Sequence, residues 1–422
     1  MTIELINTGS ELLLGRILNT HQQWLCRRLS DLGFTVDRQV AVPDTGAAIE
    51  SAVREGLARA DLVITTGGLG PTCDDLTRDR IASLLDRPLH PNPTVAENIA
   101  RYFAGRGLAV PSRTQVETLV PEGAIVLDNR HGTAPGLAVE VVPNPFRACG
   151  TRSRLVMLPG PPRELKPMFN EQVVPLLSAW FPDANGFQCR TLKTTGVGES
   201  TMEEHISGPW KPLTDAGLDL GFCARVGEVD VRFAARGERA QQQIAEAEAI
   251  TRGLVGDSIF GAEDDTLESV IVGEFQRRGL TLALAESCTG GHIANRITNI
   301  PGASQVLLGG FVTYSNAAKI HNLGVLPSTL ETRGAVSEET VREMAAGART
   351  ATGADYAIAV TGIAGPSGGT ADKPVGLVFI AVAGPAGVAF RRRVNAFDRE
   401  TFKYLTAQQA LMLLWTTVRS AA

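Results

Sequence analysis

The feature that most constrains the fold is an uninterrupted apolar strand that runs directly into a glycine-rich loop. Asp61–Thr66 is apolar at successive positions, which is typical of a strand covered by helices on both faces. The loop Thr66–Thr72 follows it, with the sequence Thr-Gly-Gly-Leu-Gly-Pro-Thr. Upstream, strand patterns at Ile3–Asn7 and Val36–Val42 alternate with helix patterns at Asn19–Leu32 and Ile49–Leu57. This order predicts a parallel, doubly wound α/β sheet, whose ligands lie beyond the carboxyl ends of the strands.

The same alternation returns in the last third of the chain. A capping-box pattern at Asp265–Glu268 starts a helix that Gly279 ends. Strands at Thr281–Ala285 and Tyr356–Thr361 follow, and a helix from about Asp398 to Val418 closes the chain. The second of these strands ends in Thr361–Pro366, which repeats the Thr-Gly-x-x-Gly-Pro of the first loop. Internal duplication and convergence on one strand-to-loop geometry both explain this repeat.

The middle of the chain has a different pattern. It shows a short helix at Ser200–Ile206, a half-exposed strand at Glu228–Phe233, and a helix with Ala240, Ala247 and Leu254 on one face. This predicts a small α+β module that connects two larger α/β domains, and 422 residues are enough for such an arrangement.

Composition excludes several classes of function. A net charge of −5 and 5% aromatic residues disfavour a nucleic-acid-binding protein. No apolar run approaches the ~20 residues of a membrane span, so we expect no membrane association. The six cysteines form no CxxC pair, and the N-terminus enters a strand pattern directly. A cytoplasmic location is therefore expected.

Acidic residues follow the first glycine loop. Asp74 and Asp75 stand just after Thr72 and Cys73, at the start of a predicted helix. They can cap that helix, or they can hold a divalent cation against a diphosphate. Neither a P-loop nor a GxGxxG fingerprint is present. Turn-rich segments at Gly132–Gly136 and Leu158–Leu165 identify no site by themselves, and Pro143–Arg154 is interpreted as a peripheral hairpin loop.

Hydroxyl groups gather at a strand end in the last third. Ser287 and Thr289 lie in the turn Ser-Cys-Thr-Gly-Gly, where they can cap a helix, bind an anion or expose a nucleophile. Tyr314 and Lys319 follow, and a Ser/Tyr/Lys set activates serine if the lysine is neutral. Cys288 is interpreted as a packed residue, because no His or Asn partner stands beside it.

Together these segments resemble the competence/damage-inducible CinA family over nearly the whole chain. Residues 1–170 resemble its molybdopterin-binding-like (MoaB/MogA-type) domain, 171–256 its KH-like connector, and 262–422 its nicotinamide-nucleotide amidase domain. The resemblance is carried by Gly9–Leu13, Asn19-Thr20, Thr66–Asp75, Leu158–Leu165, Ala285–Gly291, Gly302–Ser304, Phe311–Lys319, Gly334–Glu338, Thr361–Gly369 and Lys373–Gly376. It implies two three-layer α/β domains joined by a small α+β domain.

The resemblance also implies two activities. The C-terminal domain would hydrolyse nicotinamide mononucleotide to nicotinic acid mononucleotide and ammonia without a cofactor. The N-terminal domain would cleave ADP-ribose to AMP and ribose 5-phosphate with a divalent metal. The implied catalytic residues are Ser287 or Ser304, with Tyr314 and Lys319. The implied substrate-binding residues are Thr289, Gly290, Gly291, Thr361, Gly362, Gly365, Gly67, Gly68, Gly70 and Thr72. The implied metal ligands are Asp74, Asp75 and Glu11, and a homodimer is the expected assembly.

Two departures from the family pattern bear on the N-terminal domain. Ser10 stands where the family has an acidic residue, and Cys73 stands where it has a charged or polar one. Two alternatives therefore stay open. One is a regulatory protein linked to competence or DNA damage, with a catalytically silent N-terminal domain. The other is molybdopterin binding by that domain, by analogy of fold. Nucleic-acid binding by the connector is not expected, because no basic Gly-x-x-Gly loop is evident.

Overall fold

The computed structural model describes residues 1–182 and 186–420, which divide into two compact units, Met1–Gln188 and Cys189–Ala422. Within the described residues, no helix is both long and apolar enough to cross a membrane.

The strands of the first unit are β1 (Ile3–Thr8), β2 (Arg38–Val42), β3 (Leu62–Thr66), β4 (Leu89–Pro91), β5 (Leu119–Pro121), β6 (Ile125–Leu127), β7 (Gly136–Val141) and β8 (Ser153–Leu158). Six of them form a sheet in the order β2-β1-β3-β8-β7-β6, and β4 pairs separately with β5. The first four strands of the sheet are parallel, and β7 and β6 add an antiparallel edge. The helices are α1 (Ser10–Leu13), α2 (Thr20–Asp31), α3 (Gly46–Arg59), α4 (Thr77–Leu84), α5 (Pro93–Ala104), α6 (Pro162–Met168) and α7 (Val174–Trp180).

Helices cover both faces of this sheet, as the apolar strand pattern predicts. Ile6 and Val63 pack with side chains of α3, α4 and α5 on one face. Leu62 and Ile64 pack with α2, α6 and α7 on the other. Because successive strand side chains point to opposite faces, an entirely apolar strand requires two helical layers. The doubly wound three-layer fold is therefore confirmed.

Two details of this unit differ from the sequence interpretation. The segment Pro143–Arg154 is not peripheral, because Ser153 and Arg154 begin β8 beside β3. The amide of buried Asn144 donates to the Leu57 carbonyl and to Ser153 Oγ, so the loop is tied to the interior. The predicted domain boundary at residue 170 also falls inside a helical stretch whose Phe169, Val173 and Leu177 belong to the core of this unit.

The second unit starts with an antiparallel sheet in the order β10-β11-β9-β12. This connector consists of β9 (Phe187–Thr195), α8 (Glu199–Asp215), β10 (Asp219–Arg225), β11 (Glu228–Arg236), α9 (Ala240–Val255) and β12 (Ile259–Ala262). The helix predicted to end at Ile206 continues to Asp215 despite two prolines. The predicted half-exposed strand is mostly buried, because β11 lies between β10 and β9 in the sheet, and Asp230 inside it pairs with Lys193 at 2.6 Å. Leu254, predicted to lie on the apolar face of the helix, is exposed. Its neighbour Val255 is buried in the core instead.

The remainder of the second unit is a five-stranded sheet in the order β14-β13-β15-β16-β17. Its elements are α10 (Leu267–Arg278), β13 (Leu282–Glu286), α11 (His292–Thr298), β14 (Leu307–Val312), α12 (Asn316–Leu323), α13 (Pro327–Thr332), α14 (Glu338–Thr352), β15 (Tyr356–Gly362), β16 (Leu377–Gly384), β17 (Gly387–Val394) and α15 (Arg399–Ser420). Helices α10, α11 and α15 pack on one face, and α12, α13 and α14 on the other. Thr266 and Ser269 form the predicted capping box, and Gly279 ends α10 in the left-handed region.

Candidate active sites at two strand ends

The loop after β3 needs glycine at two successive positions. Gly67 and Gly68 have φ of 94° and 69°, in the left-handed region that favours glycine. A Cβ on Gly68 would stand 2.1 Å from Thr77 Oγ1, and one on Gly67 would stand 2.8 Å from the Thr8 carbonyl oxygen. The backbone at this strand end therefore has no room for side chains, and it folds tightly against β1 and α4.

Asp74 and Asp75 do not cap helix α4. The hydroxyl of Thr72 hydrogen-bonds to both carboxylates, and the Thr72 N–H donates to Asp75 Oδ2 at 2.9 Å. The Thr72 hydroxyl lowers the pKa of Asp74 by hydrogen-bonding to its carboxylate. Helix α4 starts at Thr77 without a side-chain cap, so the capping interpretation is wrong. The two carboxylates instead fasten the tip of the loop.

The predicted metal ligands do not form a preassembled group. Among the described residues, no three His, Cys, Asp or Glu side chains are arranged to hold a metal ion. The carboxylate of Glu11 lies against Gly9, where a Cβ would stand 2.6 Å from Oε1. Glu11, Asp74 and Asp75 therefore do not form a three-carboxylate site by themselves.

The carboxylate of Asp44, which no sequence motif indicates, lies beside Ser10. The Ser10 N–H donates to Asp44 Oδ2 at 2.7 Å, and the Asp44 N–H donates to Ser10 Oγ at 3.2 Å. The family pattern has an acidic residue at position 10. In this chain Asp44, which follows β2, places a carboxylate next to that position instead. No local pattern could reveal this pair, since the two residues are 34 positions apart.

The turn-rich segments of the first unit meet near the β3 loop. The Gly67 N–H donates to the Leu158 carbonyl at 3.0 Å. Asn129 donates to both the Ala134 carbonyl and Glu164 Oε2, which links the Gly132–Gly136 turn to the Leu158–Leu165 segment. These contacts bring together three segments whose roles the sequence left open.

Glu117 is a fully buried carboxyl in the same region. Its Oε1 accepts from Thr133 Oγ1 at 2.9 Å, and its Oε2 has no hydrogen-bond partner in the described parts of the chain. Burial is the main cause that raises the pKa of Glu117 to about 7; Asp75 and Glu164 add to this shift, and Thr133 and Arg78 oppose it. No motif in the sequence indicates this residue.

In the second unit, the turn after β13 brings a serine to a buried lysine. Ser287 is 9% exposed and Lys319 is 1% exposed. Lys319 Nζ lies 3.1 Å from Ser287 Oγ and donates to the Thr313 carbonyl at 2.7 Å. Lys319 forms no ion pair in the described residues, and desolvation by burial lowers its pKa. Burial thus favours the neutral form of a lysine that lies beside a hydroxyl.

Helix α12 positions this lysine. Ser315 caps the helix by accepting from the Ala318 N–H, and the Lys319 N–H donates to the Ser315 carbonyl. The next residue upstream of Tyr314, Thr313, is fully buried, and its hydroxyl has no partner among the described residues. The lysine therefore projects from the first turn of the helix into the protein interior, where it contacts Ser287 Oγ and the Thr313 carbonyl.

Glu286 anchors the turn that carries Ser287. Its buried carboxylate accepts four hydrogen bonds, from Thr289 Oγ1 and from the N–H groups of Gly291, Ile293 and Ala294. Neither Ser287 nor Thr289 caps α11 directly, so that alternative is wrong. The sequence placed Glu286 in the strand, but its role depends on how the following turn folds back over it.

Other predicted residues lie around the Ser287–Lys319 pair without joining it. Gly290 and Gly291 have φ of 62° and 94° in the turn, and Thr361 donates its hydroxyl to the Ala335 carbonyl. A Cβ on Gly362 would stand 2.6 Å from the Leu377 carbonyl oxygen, so β15 and β16 approach closely there. The Gly365 carbonyl accepts from Arg399 Nη1 at 2.9 Å.

Tyr314 and Ser304 are placed apart from the lysine. Tyr314 is 63% exposed, and its hydroxyl accepts a 2.8 Å hydrogen bond from Arg399. Ser304 is exposed on the short helical turn Ala303–Gln305. Burial raises the pKa of the Cys288 thiol to about 12, which keeps it protonated and agrees with a packing role. Of the predicted nucleophiles, only Ser287 contacts Lys319 in the described residues.

Comparison with known proteins covers the whole chain. Three family models match: "Probable molybdopterin binding domain" over residues 4–179, "Damage-inducible protein CinA KH domain" over 189–261, and "CinA C-terminal domain" over 264–418. A "Putative competence-damage inducible protein" of Moorella thermoacetica is 44% identical over 100% of this chain and 99% of its own. A "CinA-like protein" of Akkermansia muciniphila is 44% identical over 97% of this chain and 95% of its own.

Among solved structures, one described as competence/damage inducible protein CihA from Agrobacterium tumefaciens is 46% identical. It covers 36% of this chain and 93% of its own, with a TM-score of 0.35.

Proposed function

The chain belongs to the CinA family, and from this premise we propose that its C-terminal domain hydrolyses the carboxamide of nicotinamide mononucleotide. The products are nicotinic acid mononucleotide and ammonia. The observation that carries the proposal is the contact between Lys319 Nζ and Ser287 Oγ in a buried setting without a carboxylate ion pair. A lysine of this kind is suited to accept a proton from serine.

The proposed reaction has two stages. In the first, Ser287 Oγ attacks the carboxamide carbon, and neutral Lys319 takes the hydroxyl proton. The C–N bond then breaks, and the proton passes to the leaving nitrogen, which departs as ammonia. In the second stage, water attacks the acyl-serine ester and gives up a proton to Lys319. The carboxylic acid leaves, and Ser287 regains its proton.

The buried surroundings support both stages. Because a protonated lysine cannot act as a base, the pKa of Lys319 must be lowered toward the working pH. Desolvation of the buried Lys319 side chain lowers its pKa in this direction. Glu286 keeps the Ser287 turn rigid, so that the nucleophile is held in place before substrate arrives. Ser304 is the alternative nucleophile, and Tyr314 is a further candidate for activating the serine.

The test is ammonia release from nicotinamide mononucleotide by the purified protein and by three variants. We expect Ser287→Ala and Lys319→Ala to lose at least a thousandfold in kcat, a loss typical of catalytic groups that act as a unit. Ser304→Ala is expected to keep activity within about tenfold. No ammonia from the unaltered protein would refute the amidase proposal. If Ser304→Ala is inactive and Ser287→Ala is active, the nucleophile is Ser304 and not Ser287.

For the N-terminal domain we propose hydrolysis of ADP-ribose to AMP and ribose 5-phosphate as a second activity. The observation that favours it is the glycine loop after β3, where the left-handed Gly67 and Gly68 form a tight turn at the carboxyl end of a parallel strand. Dependence on a divalent metal is part of the proposal, although the protein side chains alone do not preassemble a site for it.

The second activity is measured as AMP release from ADP-ribose with and without a chelator. Asp74→Asn and Asp75→Asn are expected to reduce the rate at least tenfold if their carboxylates serve the site. Equal rates with and without the chelator would remove the metal from the proposal. No AMP under any condition would favour the alternatives, a regulatory role or molybdopterin binding by a catalytically silent domain.

A further inference from the structure

A groove of about 930 Å³ lies beside the Ser287 turn. Its walls come from three segments of the second unit: the connector turn between β10 and β11, helix α11, and the start of α15. The lining residues are Arg225, Val226, His292, Arg399, Glu400, Thr401, Lys403 and Tyr404. Its volume is at the upper end of the range of small-molecule sites.

The groove borders the proposed nucleophile. His292 is the first residue of α11, directly after the turn that begins with Ser287. A Cβ on Gly290 would stand 4.0 Å from Lys403 Nζ, so the lysine reaches the backbone of that turn. Arg399 binds both the Gly365 carbonyl and the Tyr314 hydroxyl. The groove therefore lies next to the turn that carries Ser287.

Cations predominate in the lining. The lining contains three cationic side chains, those of Arg225, Arg399 and Lys403, and one carboxylate, that of Glu400. Lys403 has no hydrogen bond or ion pair within the described parts of the chain. Burial and the cations Arg296 and Lys403 lower the pKa of His292, and its buried Nε2 lacks a partner among the described residues. An anionic ligand with acceptor oxygens fits this set.

Arg225 belongs to the connector, and the structure holds it in place. Its Nη2 hydrogen-bonds to Asp230 and lies 4.0 Å from Glu228, while the side chain stays 42% exposed. The connector is fastened by Gln408 of α15, which is 1% exposed. Gln408 donates to Glu228 Oε1 at 2.9 Å and accepts from Arg296 at 2.7 Å. The turn that carries Arg225 is therefore a fixed wall of the groove.

We propose that this groove binds the phosphate monoester of the substrate, and that Arg225 gives the connector a direct part in substrate specificity. The inference rests on the proposed amidase function. Arg225, Arg399 and Lys403 donate to the phosphate, and the nucleoside carboxamide extends toward Ser287. Arg225 acts on substrate selection, and Ser287 and Lys319 carry out the chemistry. The amidase domain then depends on the connector for affinity.

The test compares nicotinamide mononucleotide with nicotinamide riboside, which lacks the phosphate. Arg225→Ala is expected to raise KM for the mononucleotide about tenfold or more, since charge-assisted hydrogen bonds have this strength. The loss should fall on KM rather than kcat, and KM for the riboside should stay unchanged. Arg225→Lys keeps a cation and is expected to lose less. Arg239→Ala, an exposed connector residue outside the groove, is the matched control.

The outcomes separate this inference from the proposed function. If the unaltered protein releases ammonia and Arg225→Ala has the same KM as Arg239→Ala, the inference is overturned and the amidase stands. If the unaltered protein releases no ammonia, the amidase proposal fails. The groove is then judged by calorimetric titration of the intact protein with the mononucleotide. Weaker binding by Arg225→Ala and Lys403→Ala supports the phosphate site, and absent or equal binding overturns it.

Discussion

The loops after β3 and β15 share the sequence Thr-Gly-x-x-Gly-Pro, but they do not share a conformation. In the first loop the left-handed residues are Gly67 and Gly68, whereas in the second it is Gly365. Their strands also differ in setting: β3 has parallel neighbours on both sides, and β15 pairs with β13 in parallel and with β16 antiparallel. The proposal of one common strand-to-loop geometry is therefore wrong, and a six-residue match does not indicate equivalent sites.

The electrostatics of the two strand-end regions differ even more. In the first unit several carboxylates lie near the strand end: Asp74 and Asp75 are hydrogen-bonded to Thr72, and Glu117 is buried nearby. The second buries Lys319 against Ser287 with no carboxylate ion pair. Burial penalises whichever form is charged, so it raises the pKa of an acid and lowers that of a lysine. The same physical effect thus shifts the pKa of an acid in one unit and of a lysine in the other in favour of the uncharged form.

The largest expected effect tests the neutral lysine. Lys319→Arg should lower kcat/KM for the carboxamide substrate at least a thousandfold, about 4 kcal/mol, because guanidinium does not lose its proton. In the unaltered protein the rate should rise with pH as Lys319 deprotonates and should level off above its lowered pKa. A pH–rate profile of both proteins checks this. Activity in Lys319→Arg that follows the same profile would mean that Lys319 is not the base.

The next effect concerns the anchor of the Ser287 turn. Glu286→Ala removes an acceptor of four hydrogen bonds and should destabilise the second unit by about 3 kcal/mol or more. Thermal unfolding measures this loss, and activity should fall with it. The control is Glu331→Ala, an exposed acid of the same domain, which should leave the unfolding temperature nearly unchanged. Similar unfolding temperatures for both variants would show that the buried carboxylate is not an anchor.

A pH-dependent effect tests the buried acid of the first unit. The pKa of Glu117 is about 7 in the folded protein and about 4.5 without burial. Between these values the unfolded chain releases its proton and the folded chain keeps it, so stability is lost as pH rises through this window. Glu117→Gln should therefore be more stable by up to about 3 kcal/mol at pH 8 and unchanged near pH 4.5. Denaturant unfolding at both pH values measures the difference.

Glu122→Gln provides the control for this experiment, because Glu122 is an exposed acid close in sequence. It should show no pH-dependent gain. A Glu117→Gln protein that is no more stable at pH 8 than the unaltered one would indicate that the pKa of Glu117 is not raised in the native state.

The smallest expected effect is the difference in stability between alanine substitutions at two glycines of the first loop. Gly68→Ala should cost about 1–3 kcal/mol, because its φ is left-handed and the new methyl group would clash with Thr77. Gly70→Ala should cost less, since φ there is not left-handed and the methyl group would meet only the Asp75 side chain. Thermal unfolding of both variants tests this order. Equal losses would contradict the conformational argument.

Much of the fold could be predicted from local patterns. The helix that starts after Asn19, the capping box at Thr266 and the buried strand before Gly67 all lie where the sequence indicates. Caps and apolar periodicity act over a few residues, so they can be read directly. The predictions failed where contacts from distant segments changed burial, as at Asn144, which β8 and the Leu57 carbonyl enclose.

By itself, the sequence determined the two α/β domains, the connector between them and the strand-end turn that carries Ser287. Tertiary structure decided which groups act on that turn. Lys319 reaches Ser287 across 32 positions, Ser10 meets Asp44 across 34, and Arg225 joins the groove from another domain. The physical reason is that a site depends on distance and desolvation. Both are properties of packed elements, and neither is present in a local run of residues.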